Sequence, residues 1–259
     1  MDYHGVVLDL DGTVYRGDTI IDGVPGTVTR LRERGLDIAF MTNNPTRSPA
    51  EYVEKLAGMG IDARESEILS AGAMTAEYLT HHHADDDIYL IGSSGLERQL
   101  EAAGCSLIAD PDAADVLLTS HHYGFDYESL TAGLWACDVV DAFYGTDPDL
   151  TYPDGDGRRY PGSGAITRSV AATARREPDA VLGKPSASAI EALSHHLDVP
   201  LSECLVVGDG LDTDITLGKT AGMDTALVLS GRTTRAEAES SDITPTYLLD
   251  SLVEIDSVL

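Results

Sequence analysis

Asp9 and Asp11 stand two residues apart where the apolar run Val6-Val7-Leu8 gives out, and Gly12-Thr13 follows at once. The run reads as a buried strand. Residues i and i+2 of a strand point to the same side, which would aim both carboxylates at one site. Paired carboxylates repel, and a cation or a shared proton relieves the repulsion. A hard cation with oxygen ligands, Mg²⁺, suits such a pair. The same residues would also serve as an Asx turn closing a strand.

Further polar clusters sit at the ends of apolar runs. Leu36 to Met41 is closed by Thr42-Asn43-Asn44-Pro45, and Cys204-Leu205-Val206-Val207 runs into Gly208-Asp209-Gly210-Leu211-Asp212-Thr213-Asp214. In open parallel sheets, ligands bind beyond the carboxyl ends of strands, so these groups can share a crevice despite their distance in sequence. Lys184, in Gly183-Lys184-Pro185, opens a helix shortly before the last cluster. The chain has three lysines, Lys55, Lys184 and Lys219, so each is a strong candidate for a specific task. Carboxylates for a metal, hydroxyl and amide donors for an anion, and one cation form an inventory suited to phosphoryl transfer, where a protein mainly positions groups and offsets charge. The bland alternatives are a turn at Asn43-Asn44, a surface lysine at 184 and a helix cap at Asp212.

Those clusters must be carried by a fold, and apolar runs alternating with helical periodicity imply parallel α/β layers. The reading is a Rossmann-like parallel-sheet core with helices on both faces, made of residues 1–79 and 180–259. A smaller α/β cap domain, 80–179, is inserted in it. Pro25, Ser48-Pro49 and Ser70 mark helix starts, as does Asp126 in the insert. Arg16 to Asp22 and the polar stretch from Asp147 to Tyr160 read as loops. His81-His82-His83 reads as a solvated helix end at the domain boundary, because neighbouring helical residues diverge and cannot share one metal. His121-His122 reads as solvated or structural.

The net charge is −27 over 259 residues. Such acidity argues against nucleic-acid and membrane partners, and no apolar run reaches a membrane span. The first strand begins almost at once, without a leader, so a cytoplasmic location is expected. Cys105, Cys137 and Cys204 show no metal or disulfide spacing, which suits free thiols in a reducing compartment. The acidity itself fits a soluble, halophilic protein of a high-salt cytoplasm, where self-repulsion is screened. A monomer and a homodimer both remain open.

With these motifs in order, the chain resembles the haloacid dehalogenase superfamily of phosphatases. The carriers are Asp9-Leu10-Asp11-Gly12-Thr13, Thr42-Asn43-Asn44, Gly183-Lys184-Pro185, and Gly208-Asp209 with Asp214. Val14-Tyr15-Arg16-Gly17 and Ile91-Gly92-Ser93-Ser94 resemble the 4-nitrophenylphosphatase and sugar or nucleotide phosphatase branch. That branch carries its α/β cap between the second and third motifs. The resemblance implies that Asp9 is the nucleophile and Asp11 the general acid and base. Gly12, Thr42, the Asn43 backbone and Lys184 would hold phosphate. Asp9, the Asp11 carbonyl and Asp209 would hold Mg²⁺, with Asp214 supporting and Asp212 its runner-up. Asn44, Asp147 and Tyr152 would face substrate, and Arg16, Arg47, Arg158 and Arg159 are candidate anion contacts. The chain departs from the branch twice: Gly210 stands where Arg is usual, and Asp147 replaces an Asn. The implied activity is hydrolysis of small phosphorylated metabolites through an aspartyl-phosphate. The rival from another class is a receiver-like phospho-acceptor. Asp11 and a cap that shields a small substrate argue against it.

Overall fold

The computed structural model describes residues 3–153 and 158–259. In chain order the elements begin with β1 (Gly5–Asp9), β2 (Tyr15–Arg16), β3 (Thr19–Ile20), α1 (Val24–Glu33), β4 (Asp37–Thr42), α2 (Pro49–Gly58) and β5 (Ile68–Ser70). There follow α3 (Ala71–His82), β6 (Asp87–Ile91), α4 (Ser94–Ala102), β7 (Ser106–Ile108), β8 (Val116–Thr119), α5 (Tyr127–Val139) and β9 (Ala142–Gly145). Then come β10 (Thr151–Pro153), β11 (Arg159–Pro161), α6 (Ser163–Ala174), β12 (Ala180–Val181) and α7 (Ala187–His196). The chain finishes with β13 (Cys204–Gly208), α8 (Thr216–Ala221), β14 (Asp224–Val228), α9 (Arg235–Ser240) and β15 (Tyr247–Leu249).

The chain divides into two compact units. The first holds residues 1–42, 49–69 and 189–259, and the second 43–48 and 70–188. The helix α3 therefore belongs to the second unit. The boundaries read from sequence, 79/80 and 179/180, stay a proposal.

The first unit is built on a six-stranded sheet of order β15-β14-β13-β1-β4-β5. β1 pairs in parallel with β13 on one side and β4 on the other. Every residue of β1 is buried, as a central parallel strand covered on both faces requires. On α1, Val24, Val28 and Leu31 turn inward at helical spacing, with Pro25 in the first turn. On α2, Tyr52 and Leu56 do the same, and all five side chains join Val6, Leu8 and Phe40 in one core.

The second unit has its own parallel sheet, β12-β9-β8-β6-β7. Strand alternation splits its core in two. Val116 and Leu118 of β8 pack with Leu79 of α3 and Leu96 and Leu100 of α4. Leu117 packs on the opposite face with Ala136 of α5 and Val170 of α6. The expected caps are present: Ser70 accepts from the Ala73 N–H and Asp126 from the Ser129 N–H.

Three expectations need correction. Residues 16–22 are not all loop, because β2 and β3 form a short antiparallel ladder, Tyr15 opposite Ile20, that buries Tyr15. The stretch 147–160 contains a second ladder, Tyr152 opposite Tyr160; its centre, 154–157, lies outside the described residues. His83 is no solvated end: Asp86 Oδ2 is 2.7 Å from its Nδ1 and the Tyr144 hydroxyl 3.0 Å from its Nε2. The three cysteines are free thiols. Among the described residues no helix is long and apolar enough to cross a membrane.

Candidate active site

Within the first unit, Asp9 ends β1, Thr42 ends β4 and Asp209 follows β13. The ladders set Asp9 opposite Met41 and Leu8 opposite Val207, so these three ends lie side by side at the carboxyl edge. Asp9, Asp209 and Asp214 converge there: one ligand oxygen from each lies within 4.8 Å of the others, and all three are buried. Three carboxylates removed from water repel strongly unless charge is supplied, and an all-oxygen set of this kind suits a hard divalent cation.

Local structure holds each member. Thr13 Oγ1 donates to Asp9 Oδ2 at 3.1 Å. The Arg232 N–H donates to Asp209 Oδ2 at 2.6 Å, and Thr233 donates its hydroxyl to the Asp209 carbonyl. Asp214 lies on the turn 211–215, which leads into α8, and Gly210 N–H donates to its Oδ2 at 3.0 Å. Gly12 is buried with φ +92°, and a Cβ there would collide with the Asp209 carboxylate. Glycine is required at that position both for the backbone turn and for the close approach.

Asp11 does not join the cluster, contrary to the strand-alternation reading. β1 ends at Asp9, and the N–H groups of Thr13, Val14 and Tyr15 all turn back to the Leu10 carbonyl. The Asp11 carboxyl instead faces the Gly17 N–H and Lys55. Protein packed about it raises its pKa above the ordinary value, the Gly17 N–H and Lys55 pull it down, and Asp18 raises it further. Lys55 was missed as a site neighbour. Its ammonium donates to the Gly17 carbonyl at 2.8 Å and lies 3.9 Å from the centre of the Tyr15 ring. The scarcity of lysine was the available signal.

Arg232 was also missed. Its guanidinium pairs with Asp212 and donates to Thr213 Oγ1 at 2.7 Å. Asp212 is thus neither a helix cap nor part of the carboxylate cluster among the described residues: Gly210 occupies the cap position. Arg16 donates its Nε to the Ser230 carbonyl.

The remaining predicted residues lie in the second unit. Lys184 and Asn43 are buried, 2% and 8% exposed, and hydrogen-bond to one another. Asn44 is exposed, and its Oδ1 accepts from Thr46 N and Oγ1, the geometry of an Asx turn. Asp147 is buried, accepting from Thr146 Oγ1 at 3.0 Å and Asp149 N–H at 3.2 Å. Burial, with Asp149 adding to it, pushes its pKa up to about 7 against those donors and Ser163. Tyr152 donates to the Tyr123 hydroxyl and lies 3.2 Å from His121 Nε2. His121 is buried as well, which lowers its pKa, as does His122 beside it. Arg47, Arg158 and Arg159 are exposed.

Residues 6–106 match the family described as haloacid dehalogenase-like hydrolase, and residues 181–255 a second, HAD-hydrolase-like family. Sugar-phosphatase AraL of Bacillus subtilis is 32% identical over 251 residues, 97% of this chain and 91% of that protein. An acid sugar phosphatase of Staphylococcus epidermidis is 34% identical over 250 residues, 96% of this chain and 95% of that protein. Among solved structures, the p-nitrophenyl phosphatase from Archaeoglobus fulgidus matches with TM-score 0.93 and 32% identity, covering 100% of both chains. With these likenesses added to the ordered motifs, the chain belongs to the haloacid dehalogenase-like hydrolases, in their phosphatase branch.

Proposed function

We propose that this protein is a Mg²⁺-dependent phosphatase of small sugar phosphates in the cytoplasm, working through an aspartyl-phosphate on Asp9. The observation that carries the reading is the buried convergence of Asp9, Asp209 and Asp214 at the carboxyl edge of the first unit's sheet. The names of these two relatives point to sugar phosphates as the substrate class, and that of the solved structure to aryl phosphates as test substrates.

The donor set fits Mg²⁺, which would be held by Asp9, the Asp11 carbonyl and Asp209, with Asp214 behind them. Bound there, the metal would offset charge on the transferring group. Asp9 attacks phosphorus with its carboxylate, steadied by the Thr13 hydroxyl, and the bond from phosphorus to the sugar oxygen breaks. Asp11 gives the leaving oxygen its proton. Its place outside the carboxylate cluster suits a group that must carry a proton. The Asn43 backbone N–H and the Thr42 hydroxyl bind phosphate oxygens, and Lys184 supplies the cation; Gly12, expected from the sequence to join them, donates its N–H to the Tyr15 carbonyl at 2.6 Å instead. Asp11, now ionised, takes a proton from a water that attacks phosphorus. Inorganic phosphate leaves and the Asp9 carboxylate is regenerated.

A panel of phosphate esters with and without Mg²⁺ tests this. Hydrolysis of hexose and pentose phosphates and of 4-nitrophenyl phosphate, abolished by chelator and restored by Mg²⁺, is expected. Full activity in excess chelator overturns the metal, and preference for nucleoside monophosphates overturns the substrate class.

A further inference from the structure

Within the second unit, Asn43 grips the main chain of Lys184 from 141 residues away. Asn43 Oδ1 accepts from the Lys184 N–H at 2.8 Å, and Asn43 Nδ2 donates to the Lys184 carbonyl at 3.1 Å. Both residues are buried. The peptide is confined from the other side too: a Cβ on Gly183 would lie 2.8 Å from Asn43 Oδ1, 2.8 Å from the Thr146 carbonyl and 3.2 Å from Asp147 Cβ. The Gly183-Lys184 segment is thus wedged between the Asn43 carboxamide and the chain that follows β9. Asn43 is itself anchored, because its segment 43–48 packs on α3 and α4. Gln99 Nε2 donates to the Pro45 carbonyl at 3.0 Å, and Gly95 leaves room for the Thr46 carbonyl.

A carboxamide sets N–H donors and a C=O acceptor side by side on a rigid plane. Here it meets the N–H and the C=O of a single residue, which fixes that residue's backbone on both sides. Asp would keep the acceptor and lose the donor, and Ala would leave two buried main-chain groups unmet. We infer that the Asn43 side chain is a positioning residue that sets the backbone from which the Lys184 ammonium projects, and that it does not itself bind phosphate. The inference rests on the reading of Lys184 as the cation for phosphate.

The test is turnover of 4-nitrophenyl phosphate with Mg²⁺ by the full chain, with folding followed by circular dichroism. Asn43→Ala should lower kcat by roughly 10–100-fold, the scale of a small misplacement of a reacting group, with KM changed less than about threefold. In a Lys184→Ala background the same change should cost less than about threefold, because the group it positions is gone. Asn43→Asp adds a readout that a packing role would not move. Once its new carboxyl is protonated it can donate to the Lys184 carbonyl, so its activity relative to wild type should recover as pH falls, and burial moves that recovery above the ordinary carboxylate range. That recovery should be missing in Asn43→Ala. Wild-type kcat in folded Asn43→Ala, multiplicative losses in the double variant, or no acid recovery in Asn43→Asp overturns the inference alone. Wild-type kcat in Lys184→Ala overturns the parent reading and the inference with it.

Discussion

The guanidinium of Arg232 fills the space that a side chain at Gly210 would need. A Cβ there would collide with the Arg232 terminal nitrogen and with Thr213 Oγ1. From that place Arg232 ties Asp212 to Thr213, while its main-chain N–H holds Asp209. The arginine usual after Gly-Asp in the resembling branch is thus absent from position 210, and a guanidinium from the loop after β14 stands over it.

Gly210→Ala and Arg232→Ala should therefore do similar damage. Either change removes one partly exposed ion pair and one hydroxyl contact, worth about 1 kcal/mol. The Thr213 Oγ1 clash persists without Arg232, so denaturant unfolding of both single variants and the double should show the pair costing less than the sum of the two but more than Arg232→Ala alone. Additive losses would show that the two residues act separately.

In the proposed mechanism Asp9 and Asp11 separate the two chemical steps. Asp9→Asn should form no phosphoenzyme with any ester. Asp11→Asn keeps the nucleophile and loses a proton-transfer group worth roughly 10²–10⁴-fold. An aryl phosphate hardly needs its leaving oxygen protonated, so Asp9 should still be phosphorylated and its hydrolysis should stall. Intact-mass spectrometry of Asp11→Asn with 4-nitrophenyl phosphate should show one added phosphoryl group, mapping to Asp9. Label on another residue, or wild-type turnover of alkyl and aryl esters, refutes the assignment.

Asp147 should make stability fall as pH rises. Its carboxyl is raised in the fold to about 7 from 3.8. Its contribution is therefore fully present below the ordinary carboxylate range and lost as pH climbs towards 7. The loss is on the order of 4 kcal/mol at most. Asp147→Asn, which needs no proton, should match wild type near pH 4 and unfold at higher denaturant near pH 8. Glu67 acts in the opposite sense. Burial opposes its charge, but the guanidinium groups of Arg32 and Arg64 hold it down at about 2. Its contribution is present above about 4.5 and lost as pH falls towards 2. A wild-type and Asp147→Asn pair with parallel pH curves would rule out the first assignment.

Salt supplies a further test. With a net charge of −27, repulsion across a Debye length of about 10 Å at 0.1 M is poorly screened. The melting temperature should rise from low to molar KCl. A value indifferent to salt would leave the halophilic reading without support.

The parallel sheets and the three strand ends were legible because a buried parallel strand writes itself as an uninterrupted apolar run. A polar cluster after such a run has few other places to go. Asp9, Thr42 and Asp209 were found that way. The Asp11 carboxylate falls outside the cluster of Asp9, Asp209 and Asp214 because alternation applies only while the strand lasts, and β1 stops at Asp9. The clasp of Asn43 on Lys184 and the hold of Arg232 on Asp209 leave no trace in local sequence. Each joins distant segments through main-chain groups, which carry no residue code. The capping box of α9, Thr234 with Glu237, was readable and passed over beside a short, exposed helix.

β1 lies between β4 and β13, and Cys204, the partner of Gly5, is made 199 residues after it. At ribosomal speed that interval is roughly 10–40 s. β4 emerges early and can cover one edge of β1, but the other stays open while the whole second unit is synthesised. A bare apolar edge is a template for pairing with another chain. The growing polypeptide therefore spends most of its synthesis with the strand that ends at Asp9 half-dressed. That edge closes once β13 arrives with the last quarter of the chain.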